Sequence, residues 1–207
     1  MIRVHFVRHG AVHNPDAVVY GRLPGFPLSI EGQAQARATA SHLRRLLATS
    51  PPFVLASPLT RAQDTAAIVA DALDVPVRTD ERLVEADSPF DGLPRRFAPI
   101  QYLARYFDRE RTHQHEAPGD VALRMMQVTR ELLLQANSDV VMVSHQFPIQ
   151  MARFGFERRI DERPAYLVKR FPFVLFRVRC TLASVTTLTF LGSERPPKAH
   201  YWEPAQQ

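Results

Sequence analysis

Residues 2–10 read IRVHFVRHG. Alternating β-branched and aromatic side chains over 2–7 predict a first strand, and the strand ends in Arg8, His9 and Gly10. The same arrangement recurs twice further along. FVLAS (53–57) reads as a short apolar strand that runs into Ser57-Pro58-Leu59-Thr60-Arg61. DVVMVS (139–144) has the near-continuous apolar run of a strand covered on both faces, and it ends in Ser144-His145. Helical spacing fills the gaps: 30–48 behind a Ser29 cap, from the Ser57-Pro58 pair to Leu73 with serine as cap and proline in first position, about 98–110, 119–136 capped near Asp120, and a helix opening near Pro148. VPVRT (75–79) is a further short strand, and 173–179 and 181–191 read as a terminal strand pair. Residues 8–29 and 86–97 read as loops, and the tail 192–207 as irregular. Strands that alternate with helices predict one α/β domain over 1–207, a three-layer sandwich around a mainly parallel sheet.

The bulk numbers narrow the class. A chain of 207 residues with 45% apolar residues can bury a core without disulfides or metal. One cysteine, Cys180, excludes an intrachain disulfide and fits a reducing compartment. No apolar run has the length of a signal peptide or a membrane span, so the expected location is cytoplasmic, with no membrane partner. The formal charge is +5 and is carried mostly by arginine, since Lys169 and Lys198 are the only lysines. Arginine suits bidentate binding of phosphate or carboxylate. No basic run with interleaved aromatics and no reader motif supports nucleic acid as a partner.

In open parallel sheets, ligands gather outside the carboxyl ends of the strands. Three strand ends thus aim His9, His145, Arg8 and Arg61 at one edge. A histidine nitrogen can attack phosphorus and form a phosphohistidine. Two guanidinium groups can hold the equatorial oxygens, and a protonated second histidine adds a donor. Arg61 falls in the first turn of a helix, where anions are favoured. Gly10 is expected to let the backbone turn sharply beside His9. The leaving alkoxide needs a proton, and Glu85, in Arg82-Leu83-Val84-Glu85, is the candidate acid, with Asp87 as its rival. A nearby phosphate dianion would raise that carboxyl's pKa.

The motifs VRHG (7–10), NP (14–15), YGR (20–22), PLSIEGQAQA (27–36), SPLTRAQDTA (57–66), LVE (83–85) and VVMVSHQ (140–146) together resemble the histidine phosphatase superfamily, the phosphoglycerate mutase-like family. RHG alone recurs by chance. RHG, SPLTRA, a following glutamate and VSH in this order at strand ends are specific. The resemblance covers roughly residues 2–150. It implies His9 as the phosphorylated residue, Arg8, Arg61 and His145 as phosphate ligands, and Glu85 as proton donor. It further implies Asn14 against phosphate oxygens, Arg22 against the rest of the substrate, no metal or other cofactor, and a homodimer as the assembly it suggests. The sequence departs from the common RHGET form: Ala11-Val12 follow the glycine, and Asn14 comes one residue early. The stretch between Glu85 and His145 is shorter than in cofactor-dependent mutases, which favours a phosphatase; Arg95 and Arg96 stand there as candidate carboxylate binders.

Plainer readings compete. His9 taken alone reads as a satisfied strand-end histidine. His5, His9 and His13 have the four-residue spacing of helical metal ligands, but a strand does not bring them to one face. His113 and His115 form a short pair in a polar loop. Cys180, Phe171, Phe173 and Phe176 read as core, the phenylalanines alternatively as a dimer face. The expected function is hydrolysis of a phosphomonoester of a small metabolite through phospho-His9. The alternatives are phosphoglycerate mutase-type transfer and a non-catalytic phospholigand-binding module.

Overall fold

The computed structural model of the chain describes residues 2–47, 51–97, 115–159, 178–191 and 196–205. Six strands form one sheet: β1 (Arg3–Arg8), β2 (Phe53–Ala56), β3 (Val77–Thr79), β4 (Val140–Ser144), β5 (Val185–Thr189) and β6 (Lys198–Trp202). Their order is β3-β2-β4-β1-β5-β6. The first four are mutually parallel, and β5 and β6 join antiparallel. Among the described residues four α-helices accompany them: α1 (Ile30–Leu46), α2 (Thr60–Leu73), α3 (Pro118–Gln135) and α4 (Gln146–Arg158).

Strand alternation divides the core in two. Val4, Phe6, Leu55, Val140 and Met142 face the side where α3 and α4 bring Met125, Met126, Ile149 and Met151. Val7, Val54, Ala56, Val141 and Val143 face α1 and α2, which meet them with Ala40, Leu43, Ala62, Ala66 and Val69. Short alanines let that helix pair lie close, and methionines fill the more irregular space opposite. This is the three-layer, mainly parallel α/β arrangement that the sequence predicted.

Several boundaries are corrected. The tail expected to be irregular contains β6, which pairs with β5 from Val185↔Trp202 to Thr189↔Lys198. Ser57 does not cap α2: the cap residue is Leu59, with no side-chain cap bond. The Ser57 hydroxyl is taken instead by His145, 2.7 Å away. α3 is capped at Ala117 and has proline in its first turn; Asp120 sits within that turn, where its carboxylate complements the helix dipole. α4 opens two residues before Pro148. The helix expected at 98–110, most of the strand expected at 173–179, and Phe171, Phe173, Phe176 and His113 lie outside the described residues. No helix among the described residues is long and apolar enough to cross a membrane.

Candidate active site

Register builds the site. β1 and β4 run side by side with Arg8 opposite Ser144, so the next residue on each chain, His9 and His145, emerge together at the carboxyl edge. β2 lies on the other side of β4 with Ala56 opposite Val143, and this brings Ser57 to His145. β3 ends at Thr79 opposite Ala56. The chain then folds through a 3-10 turn (Glu81–Leu83), pinned where the Ser144 hydroxyl donates to the Leu83 carbonyl at 2.7 Å, and so delivers Glu85 to the same edge.

His9 is 2% exposed. Its Nδ1 lies 2.8 Å from the Gly10 carbonyl oxygen. A carbonyl only accepts, so Nδ1 carries the hydrogen and Nε2 keeps its lone pair. Arg61 Nε–H donates to that lone pair at 3.3 Å. The His145 ring centroid is 5.2 Å from that of His9. Burial pushes the His9 pKa well below the usual histidine value, and the Arg61 and Arg8 charges push the same way. His145 is lowered likewise, by burial first and then by His9, Arg61, Arg8 and Arg124. Both rings are therefore neutral near pH 7. The protonated His145 considered from sequence would need an anion to compensate the surrounding arginines.

Arg61 is 1% exposed, and a buried guanidinium needs partners. Besides His9 it donates to the Gly21 carbonyl at 2.5 Å and lies over the Tyr20 ring, 4.7 Å from its centroid. Arg8 anchors one amino group on the Cys180 carbonyl at 2.8 Å. Arg8 Nε and His145 Nδ1 are both buried and meet no hydrogen-bond partner among the described residues. Two polar nitrogens left this way beside a buried cation are chemically suited to an anion, since such groups are costly without a partner. The uncapped N-terminus of α2, which carries Arg61, and that of α4, which follows His145, end at the same edge.

Burial raises the Glu85 carboxyl above the ordinary glutamate value, against the opposite pull of the Ala86 N–H, Arg61, Arg8 and Arg124. One Glu85 oxygen accepts that N–H at 2.8 Å. Asp87, the rival acid, pairs with His115 at 2.8 Å.

The other expected site residues are placed differently. Arg22 does not extend freely toward a substrate: its Nε donates to the Glu85 carbonyl at 2.7 Å and its Nη2 to Glu116 at 2.8 Å. The side chain is spent on holding the acid's loop. The Asn14 amide donates to the Val18 carbonyl at 2.9 Å and accepts from the Val18 N–H at 3.1 Å, closing its own loop. Arg95 and Arg96 are exposed. Gly10 has no left-handed backbone. Its requirement is space, because a Cβ there would stand 2.4 Å from the Gly32 carbonyl oxygen, and one on Gly32 would stand 1.9 Å from that of Ala11.

Sequence reasoning missed Ser57, Tyr20, Glu116 and Arg124. Arg124 clasps Glu116 at 2.6 Å and the Arg82 carbonyl at 2.5 Å, which braces the Glu85 segment from α3. Tyr20 and Arg22 did carry a signal in YGR, and Ser57 stood at a strand end; nothing in the sequence marked Glu116 or Arg124. Among the described residues no three His, Cys, Asp or Glu side chains converge as a metal centre would.

A histidine lone pair held in a buried arginine pocket at the carboxyl edge of an α/β/α sheet defines a phosphoryl-handling class of protein. The chain belongs to the histidine phosphatase superfamily (branch 1), whose family model matches residues 4–194. It is 40% identical to the protein Rv0525 of Mycobacterium tuberculosis over 98% of this chain and 96% of that one. It is 30% identical to a probable phosphoglycerate mutase GpmB of Yersinia enterocolitica, over 70% of each chain. Among solved structures it resembles mycobacterial glucosyl-3-phosphoglycerate phosphatase Rv2419c in complex with VO3, with a TM-score of 0.76, 25% identity and coverage of 99% and 100%. The fold is shared with phosphoserine phosphatase of Entamoeba histolytica, at a TM-score of 0.74 and 19% identity.

Proposed function

We propose that the protein hydrolyses a phosphomonoester of a small metabolite through a phosphohistidine on His9 Nε2. The observation that carries this reading is the Nε2 lone pair of a fixed tautomer, buried and met by the Arg61 Nε–H. In the reaction, Nε2 attacks phosphorus in line with the ester oxygen. Arg8, Arg61 and His145 hold the phosphoryl oxygens, and Ser57 steadies the His145 ring. Glu85, whose carboxyl is raised above the ordinary glutamate value by burial, gives its proton to the leaving alkoxide. The resulting carboxylate then takes a proton from the water that attacks phospho-His9, which returns the enzyme and releases phosphate.

The phosphatases among the similar structures support hydrolysis over transfer. The absence of an uncommitted arginine at position 22 further weakens a mutase, which must retain its intermediate by added charge. The test is rapid quench with a phosphorus-labelled ester. An acid-labile, base-stable phosphoenzyme should accumulate and should vanish in His9→Ala. Turnover at the wild-type rate in His9→Ala would remove the nucleophile assignment, and isomerisation of 3-phosphoglycerate without phosphate release would replace the hydrolase reading by a mutase.

A further inference from the structure

Arg8 reaches the site by way of a main-chain carbonyl, and that carbonyl belongs to a segment pinned from the far edge of the sheet. Residues 178–184 pass directly beside the candidate nucleophile. The Ala183 N–H donates to the His9 carbonyl at 3.1 Å, the Arg8 N–H donates to the Ser184 carbonyl at 3.1 Å, and the Cys180 carbonyl takes the Arg8 guanidinium. Ala183 holds a left-handed backbone, φ 54°, which a non-glycine residue keeps only when its surroundings enforce it. Part of that enforcement comes from Thr39, which donates to the Ala183 carbonyl at 2.6 Å, and from Ser184, which donates to the Thr181 carbonyl at 2.7 Å.

The rest comes from the C-terminal strand. The Thr181 N–H donates to the Tyr201 hydroxyl at 3.0 Å, and the Thr181 and Tyr201 hydroxyls each lie within 2.9 Å of Glu203 Oε2. Both hydroxyls have one hydrogen, and the ionised carboxylate is the acceptor that takes them. Those bonds hold Glu203 below the ordinary glutamate value, the Thr181 bond foremost. Arg179 ion-pairs with Glu203 and lies over the Tyr201 ring. The cluster therefore grips both residues flanking Cys180.

We infer that Tyr201 and Glu203 are positioning residues for Arg8: they fix the 179–184 turn so that the Cys180 carbonyl presents the guanidinium to the phosphoryl group. The inference rests on the reading of Arg8 as a phosphate ligand. Neither residue touches the site. Their effect on it runs through one carbonyl, and removing them takes away the hydroxyl brace from β6 and the carboxylate brace just beyond it.

The test measures inhibition by inorganic phosphate, with p-nitrophenyl phosphate as substrate, in wild type, Tyr201→Phe, Glu203→Gln, Arg8→Lys and the two combinations with Arg8→Lys. Tyr201→Phe keeps the ring and the strand. In the wild-type background, each tail variant should raise the phosphate inhibition constant and KM about fivefold, with a smaller change in kcat. In the Arg8→Lys background, the same substitutions should change the inhibition constant less than about twofold. Equal losses in both backgrounds, or wild-type constants in both tail variants, would overturn the inference while leaving the phosphate role of Arg8 intact. If one tail variant fails to fold, the other decides. A wild-type protein insensitive to phosphate, or Arg8→Lys with wild-type inhibition, removes the premise and the inference with it.

Discussion

Strand β1 carries one buried histidine inside the sheet and delivers a second just past its end, and they have opposite fates. His5 is fully buried, with Nδ1 2.9 Å from the Thr187 hydroxyl and Nε2 3.7 Å from Asp139, which in turn is held by Arg3. His9 lies four residues on, equally dry, with its lone pair on a guanidinium. Burial dominates the lowered pKa of both rings, and His5 falls to about 4. A perturbed histidine is therefore no sign of chemistry by itself. The difference is position. His5 is enclosed by neighbouring strands and a structural ion pair, whereas His9 stands where three strand ends and two open helix termini converge.

Substitution should separate the pair most sharply. His9→Ala should lower kcat by about 10⁴-fold or more, as loss of a covalent nucleophile does, while His5→Asn should stay within about threefold of wild type. Steady-state kinetics with p-nitrophenyl phosphate measures both, and a large kcat loss in His5→Asn would break the contrast. Glu85→Gln should cost about 10²- to 10³-fold on alkyl phosphates and much less on p-nitrophenyl phosphate, whose leaving group needs no proton. Because Glu85 must be protonated and its pKa is raised, kcat/KM should fall as pH rises through that value. Because His9 must be neutral and its pKa is lowered, the acidic limb should lie below the ordinary histidine range. Loss of the alkaline limb in Glu85→Gln checks the assignment.

His5 should reveal itself in stability. Its folded pKa, about 4, lies below the unfolded value of 6.5, so its contribution is present above pH 6.5 and lost as pH falls toward 4. At 1.36 kcal/mol per unit this is about 3 kcal/mol. Denaturant melts should show a shallower loss over that window in His5→Asn, and an unchanged slope would contradict it. His9 and His145 act in the same direction, so the comparison is best made in each single variant. A more modest loss is expected of Ser57→Ala. It frees the His145 ring and should reduce kcat/KM about tenfold with little change in melting temperature.

The parallel half of the sheet was legible because burial on both faces writes itself as runs such as VVMVS, and because the first and last of its runs stopped at His9 and His145. β6 was not legible. Pro196 and Pro197 precede it, KAHYW is short and mixed, and only pairing with β5 makes it a strand. Ser57 followed by Pro58 matched a helix cap, yet the hydroxyl went to a histidine 88 residues away, a choice local propensity cannot anticipate. Arg22 was expected to meet the rest of the substrate; the bonds it makes to the Glu85 carbonyl and to Glu116 could not be read in advance, because these partners meet it only after folding. Glu116 and Arg124 carried no signal in the sequence for the same reason.

The contact between Arg61 and the His9 lone pair has a bearing on selectivity. While that N–H is in place, the nitrogen is masked. A doubly negative group draws the guanidinium toward itself and in doing so unmasks the electrons that attack it. On the phosphohistidine reading, recognition and activation are then one event, and uncharged acyl compounds meet a nitrogen that is already occupied. p-Nitrophenyl acetate should accordingly be inert above background, and measurable turnover of it would sever that link.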